Sequence, residues 1–551
     1  MESAGLATPR VGQTAGPEVF ARKASGLVRV MSPASAFAYN VLTMGLIFPW
    51  TYLWGPFAAP GANIALGIGI AMVAQLFIAG AYVWLASSMP RSGGDYVFQS
   101  RIFNGPIGFI SVFSGFVVWI LQWVALSGWL MAVLAISPLL LSLGVTWESQ
   151  ALLDAGTWFQ EPRGILITSI VQALIAMGLL ISGFRNYVRL QRFMWVATLL
   201  AFAIMIVLFL TTSTAEFTQK INAYAAAVQG SEGFYDFLLN DVSGTGFELA
   251  VGFTFLGTLL IAPIAWTSLQ WSVYSAEQGG EIKGANSLRQ QLFMMVGSTA
   301  FVGVLLIILA IVLQGTVGKE WLNAAGASYY GGVTESGDGT GVIAPFPNVL
   351  AMAITASPIL IMLIALGYMA NSFQVTCNCY IGMTRVLVAM GLDRALPTWF
   401  AKVHGRFRSP VNAHLAYFLA AIPVIWAYNY EGNWTEYTLG VTFACGYVFM
   451  LSVIAAALLP FRAPEVYKAA PHKKLGGIPL VTVLGIVGAL CAGAMVVSFL
   501  AVDDLGLTGR KAYTIVGGVI VFAAAIYYAM RAYNKSRGID SSFAFRTLPP
   551  E

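Results

Sequence analysis

Apolar residues in this chain come in long unbroken runs set off by short charged or glycine-rich clusters, without the alternation of a half-buried strand. A helix needs about 20 such residues to cross the roughly 30 Å hydrocarbon core of a bilayer, and strands of a membrane barrel would carry a dyad pattern. The pattern therefore predicts an all-α integral membrane protein with twelve transmembrane helices. They fall at 33–55, 62–88, 106–140, 164–183, 193–213, 247–276, 290–314, 348–383, 411–428, 437–460, 478–502 and 512–530.

The sixth span is the odd one. Between Glu248 and Glu277 lie 28 residues without a formal charge, about 42 Å of straight helix at 1.5 Å per residue. Its middle suits lipid poorly: Pro263 removes a helix hydrogen bond, and Thr267, Ser268, Gln270 and Ser272 follow beside Trp266 and Trp271. Two readings are open, a tilted and kinked helix or a helix broken at membrane depth. Irregular backbone is tolerated there only where it is buried in protein or lines a cavity, so a break would mark a site.

Charge fixes the topology. Of 551 residues 58% are hydrophobic and 10% charged, against about 25% charged in soluble domains. The net charge of +5 would suit nucleic acid in a soluble protein, but with an internal amino terminus 24 of the 29 Lys and Arg fall on the cytoplasmic side. Residues 1–30 and 531–551 are then cytoplasmic tails of a multi-pass protein of the cytoplasmic membrane. The first 30 residues are polar, with Arg10, Arg22, Lys23 and Arg29, and do not read as a cleavable signal.

The longest charge-free runs, from Arg101 to Glu148 and from Asp338 to Arg385, hold 46 residues each and contain the third and eighth spans. Five spans separate them, an odd number, so a second unit would be inverted relative to the first. This predicts a five-plus-five inverted repeat, 31–213 and 247–460, plus two C-terminal helices within 478–530. Span 1 then pairs with span 6 and should also be broken. It carries Asn40, Thr43 and Gly45 ahead of Pro49, a residue suited to the start of a second half-helix.

Three segments now carry a resemblance: Met89 to Phe109 (MPRSGGDYVFQSRIFNGPIGF), Thr384 to Ala413 (TRVLVAMGLDRALPTWFAKVHGRFRSPVNA) and Tyr274 to Ala285 (YSAEQGGEIKGA). Over roughly residues 30–460 the chain resembles the amino acid-polyamine-organocation permeases. The resemblance implies the leucine-transporter-type fold, alternating access, and an amino acid or related amine as substrate. By position it places the unwound centres at Thr43, Met44, Gly45 and Leu46, and at Thr267, Ser268, Leu269, Gln270 and Trp271. Half-helix ends offer unpaired N–H groups to a carboxylate and carbonyls to an ammonium group. Trp266 aligns near an aromatic over the substrate, and Gln122, flanked by Trp119 and Trp123, is a further pocket candidate.

Two departures bear on specificity. Span 1 reads TMGLIF where relatives have a small-residue G-x-G stretch, and Trp271 stands where they tend to have Gly, which implies a bulky pocket wall. With no formal charge near a predicted midplane, a dibasic or diacidic substrate is disfavoured. The coupling ion stays open between a proton and sodium. Thr198 occupies the place of a Lys in some proton-coupled relatives, and Ser372 and Thr376 are the span-8 hydroxyls that would join span-1 carbonyls around sodium.

The remaining features read as structural. Cys377, Cys379, Cys445 and Cys491 sit in apolar runs as core residues, and His404, His414 and His472 read as solvated or headgroup-facing, without metal-ligand spacing. The SGGD (92–95) and QGGE (278–281) pieces read as cytoplasmic turns, the first a candidate gate element. The segment Val317 to Pro347 is long enough for a short helix capping the outer vestibule, and the Asn433 sequon has meaning only in a eukaryotic secretory pathway. No nucleotide-binding domain and no catalytic cluster is evident, which counts against an ATP-driven pump and a membrane-embedded enzyme. The expectation is a secondary transporter of a neutral amino acid or small amine, without cofactor, its partners being that solute and the bilayer. A permease-fold sensor is the alternative.

Overall fold

The computed structural model describes residues 26–46, 50–430, 434–468, 470–471, 473–505 and 510–548; Pro49, Asn433 and His472 lie outside them. Among these residues eleven helices are long and apolar enough to cross a membrane. They correspond to predicted spans 2 to 12. Span 1 is present as two short helices, Pro33–Met44 and Trp50–Ala58, with Gly45 at the end of the first.

Helix starts follow local chemistry. Ser32, Asn63, Asn104 and Ser357 each accept an N–H of the first turn, and Pro33 and Pro358 enter at the position where a missing N–H costs nothing. Several boundaries differ from expectation: span 5 begins at Phe184, not 193, and span 8 runs on to Leu392, not 383. Span 6 begins at Phe255, not 247, because the preceding segment carries no helix. Span 8 begins at Pro358; residues Pro347–Ala353 form a separate short helix before it. Both apolar stretches are too long for one crossing, and the surplus packs outside the span.

Small residues let the helices close on one another, as in membranes where lipid gives no hydrophobic drive. A Cβ on Gly128 of span 3 would meet Ser169 Oγ of span 4 at 2.1 Å, and one on Gly367 of span 8 would meet Ala201 Cβ of span 5 at 2.2 Å. Span 3 (Gly105–Thr146) widens to π-helical turns at Phe113–Val118 and Ala132–Ile136, and span 7 at Leu292–Gly297.

On the face away from the tails, Lys319–Gly331 forms the short helix expected in 317–347 and lies on the second half of span 1, where Trp54 stacks on Tyr330 at 5.5 Å. Two helices missed by the sequence reading, Thr214–Gln229 and Phe234–Gly244, complete this layer. Asp241 pins the loop after 331: its carboxylate accepts Ser336 N–H at 2.7 Å, Glu335 N–H at 3.2 Å and the Thr334 hydroxyl at 2.6 Å. Burial alone would raise this carboxyl; the hydrogen bonds from Thr334, Ser336 and Glu335 win and hold it below the usual range.

A depressed carboxyl stabilises the loop above its unfolded value, about 3.9, and that stability is lost as pH falls through the folded value. Limited proteolysis of 333–342 is expected to accelerate in strong acid, and Asp241→Asn to be cut near neutral pH as the wild type is in acid. Equal resistance of the two at neutral pH would refute the pin.

Candidate functional site

The two irregular places of the fold face each other. Span 1 stops at Gly45, whose φ of +68° suits a residue without a side chain. Span 6 does not unwind, as the sequence reading expected over 267–271. It stays α-helical through Leu269, with Pro263 inside, and tightens into a 3₁₀ helix over Gln270–Glu277. Eight residues is long for 3₁₀ geometry, and such a stretch inside a span marks strain or a hinge.

Buried amides tie both places to the neighbouring helices. Asn371 of span 8 donates to the Leu42 carbonyl at 3.0 Å, and Asn378, two turns further along the same face, donates to Thr43 Oγ1 at 2.6 Å. Gln75 of span 2 straddles the α-to-3₁₀ junction: it accepts the Trp266 indole N–H at 2.7 Å and donates to Ser272 Oγ at 2.9 Å. Asn40 ties span 1 to spans 6 and 7, accepting Ser275 N–H at 2.9 Å and donating to the Met294 carbonyl at 2.8 Å within the π-helical turn of span 7. All four amides are fully buried.

Between the two breaks is a cavity of about 20 Å³ lined by Thr43, Ile120, Trp123, Trp271, Tyr274, Val375 and Cys379, room for about one water. Trp271 fills most of the space. Its ring meets Trp123 edge-on at 5.8 Å, Tyr274 at 5.2 Å and Phe449 at 5.7 Å, with Phe116 at 6.2 Å from the π-helical turn of span 3. The Tyr274 hydroxyl is buried without a hydrogen-bond partner, a polar group available to a ligand.

The predicted residues are thus divided. Thr43 and Trp271 line the cavity. Met44 and Leu46 are buried beside Gly45, while Thr267 donates back to the Ile264 carbonyl at 2.7 Å, and Ser268 is buried in the same α-helix. Gln270 turns its amide to its own Thr267 carbonyl at 3.4 Å. Trp266 is the correction among the aromatics: bonded to Gln75 and packed on Gly446, it faces spans 2 and 10, and Trp271 is the ring at the cavity. Gln122 is buried, but the wall is its neighbour Trp123.

The coupling candidates do not gather at span 1 either. Thr198 donates to the Gly367 carbonyl of span 8 at 3.3 Å. Ser372 donates to the Ser127 carbonyl at 2.5 Å, and Thr376 receives Gln172 Nε2 at 2.5 Å, which ties both to spans 3 and 4. One helix face separates them from Asn371 and Asn378, which take the span-1 contacts instead. His414 is also corrected: it is fully buried and stacked on Tyr380 at 6.3 Å.

Towards the tails the site is shut by what the sequence suggested were turns. Residues 92–95 and 277–281 are buried against each other: Gly93 N–H donates to the Glu277 carbonyl at 2.9 Å, and Ser92 pairs with Gln278 as an antiparallel bridge. A Cβ on Gly94 would stand 2.7 Å from the Ala276 carbonyl, so only glycine permits the contact. Arg385 of span 8 holds Glu281 with two bonds, 2.6 and 3.0 Å, and the strand before span 1 pairs with the segment after span 6 through Met31 and Ile282.

Residues 32–523 match the sequence profile of the family described as amino acid permease. The chain belongs to that family. Its members are transporters of amino acids, so this permease is a multi-pass membrane protein with a small-molecule substrate. No curated protein matches it.

The permease's cavity and the amides around it also use residues the sequence reading passed over. Gln75, Asn371 and Asn378 carried a legible signal, amides at membrane depth in apolar spans; Tyr274 and Cys379 carried none beyond span membership. The account predicts that Trp271→Ala melts lower, with the loss bounded by about 3–5 kcal/mol for a buried Trp, and that millimolar indole restores part of the melting temperature. An unchanged melt, or no response to indole, would show that Trp271 does not fill this space.

Proposed function

We propose that this permease is a secondary transporter that moves a neutral amino acid or similar small amine by alternating access, with the substrate held between the Gly45 break of span 1 and the 3₁₀ stretch of span 6. The observation that carries the reading is the meeting of Thr43, beside the Gly45 break, with Trp271 and Tyr274, beyond the α-to-3₁₀ junction, on one buried cavity. A half-helix carboxyl end beside that space is a setting for an ammonium group.

The cavity wall holds hydroxyl, thiol, aromatic and aliphatic groups and no ionised side chain, which supports a substrate without a second charge. Aromatic faces add a cation–π contribution for the amine. The small volume corresponds to a closed form, and entry of a substrate requires Trp271 to swing aside. On this reading the tail-bearing face is cytoplasmic, the two short helices of span 1 together form a twelfth crossing, and spans 1 to 5 and 6 to 10 form the inverted pair. Family membership favours transport over a ligand sensor built on the same fold.

A thermal-shift screen of the purified protein against amino acids and amines, with and without sodium and at two pH values, tests the assignment. At least one neutral amino acid is expected to stabilise by about 2.7 kcal/mol at a hundredfold excess over its Kd, and proteoliposomes to take up the same compound. No stabilisation by any amine-bearing compound would overturn the substrate class and leave the family intact.

A further inference from the structure

Two carboxylic acids are buried together in the tail-face layer. Asp95 opens the short helix Gly94–Ile102 after span 2, and Glu277 ends the 3₁₀ stretch of span 6; both are at most 2% exposed. Asp95 N–H donates to Glu277 Oε1 at 3.2 Å, which brings the two carboxyl groups into one buried place. Among the described residues no salt bridge joins either to a cation. The nearby arginines are engaged elsewhere, Arg385 with Glu281 and Arg101 with Asp393 at 2.6 Å.

The groups facing the pair from the packed elements are neutral. Tyr82 of span 2 and Ser452 of span 10 both donate their hydroxyls to Asp95 Oδ1. Cys445 of span 10 is close to Asp95, and Tyr39 of span 1 and Tyr274 of span 6 are close to Glu277. Two like charges in such a place cannot both persist, because each is stripped of water and repels the other. The donor count says where the proton goes. Asp95 receives two hydroxyls and suits the ionised form, whereas Glu277 Oε2 is buried without a hydrogen-bond partner.

We propose that Asp95 and Glu277 form a proton-binding site, holding one proton between them while this layer is shut and releasing it when the layer parts. In the shut form Glu277 is the acid and keeps the proton beside the ionised Asp95. Parting separates residue 95 from residue 277 and lets water in; the Glu277 O–H bond breaks, water takes the proton, and two solvated carboxylates remain. Burial pushes the Asp95 carboxyl above its ordinary range despite the hydrogen bonds from Glu277, Ser452 and Tyr82, in line with a shut form that binds the proton more tightly than an open one. The inference rests on the transport reading only in treating this layer as a gate. It supplies a proton site where Thr198, Ser372 and Thr376 assemble none.

Hydrogen–deuterium exchange reads the layer without any substrate. The amides of Gly93, Asp95 and Lys283 are bonded across it, to the Glu277 carbonyl, Glu277 Oε1 and the Met31 carbonyl, so they exchange when it parts. Protection of peptides 89–96 and 276–283, corrected for the intrinsic rate, is expected to fall about tenfold per pH unit across the range where the shut form keeps its proton and the open form has lost it, the slope for one proton. Glu277→Gln, neutral at every pH, is expected to keep high protection with no slope. Asp95→Asn is expected to move the slope to lower pH, because an amide donor replaces the repelling carboxylate. A flat wild-type profile would overturn the proposal. So would the wild-type slope persisting in Glu277→Gln or an unmoved slope in Asp95→Asn; if Glu277→Gln shows no cooperative melt, the Asp95→Asn arm decides. Failure of the uptake assay would leave these outcomes readable and would count against the transport reading alone.

Discussion

Backbone N–H and C=O groups cannot be left open at membrane depth, since no water is there to satisfy them. The site rests on that constraint. Ending span 1 at Gly45 would be prohibitive in lipid unless its carbonyls were met, and Asn371 of span 8 meets the Leu42 carbonyl; on span 6, Asn40 of span 1 accepts the Ser275 N–H and Gln75 of span 2 reaches the Gln270 carbonyl at 3.5 Å. The same bonds explain why the irregular pieces face one another. Asn40 is on span 1 and accepts the Ser275 N–H of span 6 directly, which holds the two irregular pieces against each other.

A second consequence concerns the layer towards the tails. It is held by ionic and backbone contacts and glycine-to-backbone approaches: Arg385 on Glu281, Gly93 on the Glu277 carbonyl, Gly94 against Ala276. Buried ion pairs give up much of their attraction to desolvation, so parting them into water costs less than their short distances suggest. An apolar seal of the same area would favour the shut form far more strongly.

Much of the fold was legible because bilayer thickness imposes run length, and charge imposes sides. Spans 2 to 12 follow from that alone, and the Gly45 break from glycine beside polar residues in an apolar run. What was not legible depended on rotation about helix axes. Ser372 and Thr376 are on the same span as Asn371 and Asn378, and only the structure shows which face meets span 1. Trp266 and Trp271 are five residues apart on a segment whose period changes between them, so no single helical wheel assigns both. His414 reads as interfacial by position yet is buried by packing on Tyr380, and Asp95 and Glu277 are distant in sequence and meet only when the two glycine-rich segments close together.

The central claim is that contact between the segment after span 2 and the end of span 6 must break for solute to cross. Ser92 and Gln278 form an antiparallel bridge there, a pairing whose Cα separation of about 4.5–5.5 Å suits a disulfide. Uptake of a labelled neutral amino-acid mixture by proteoliposomes carrying Ser92→Cys with Gln278→Cys tests this directly. The account predicts loss of uptake on oxidation and recovery on reduction, with each single variant unaffected by either treatment. Full uptake through the cross-linked protein would contradict it.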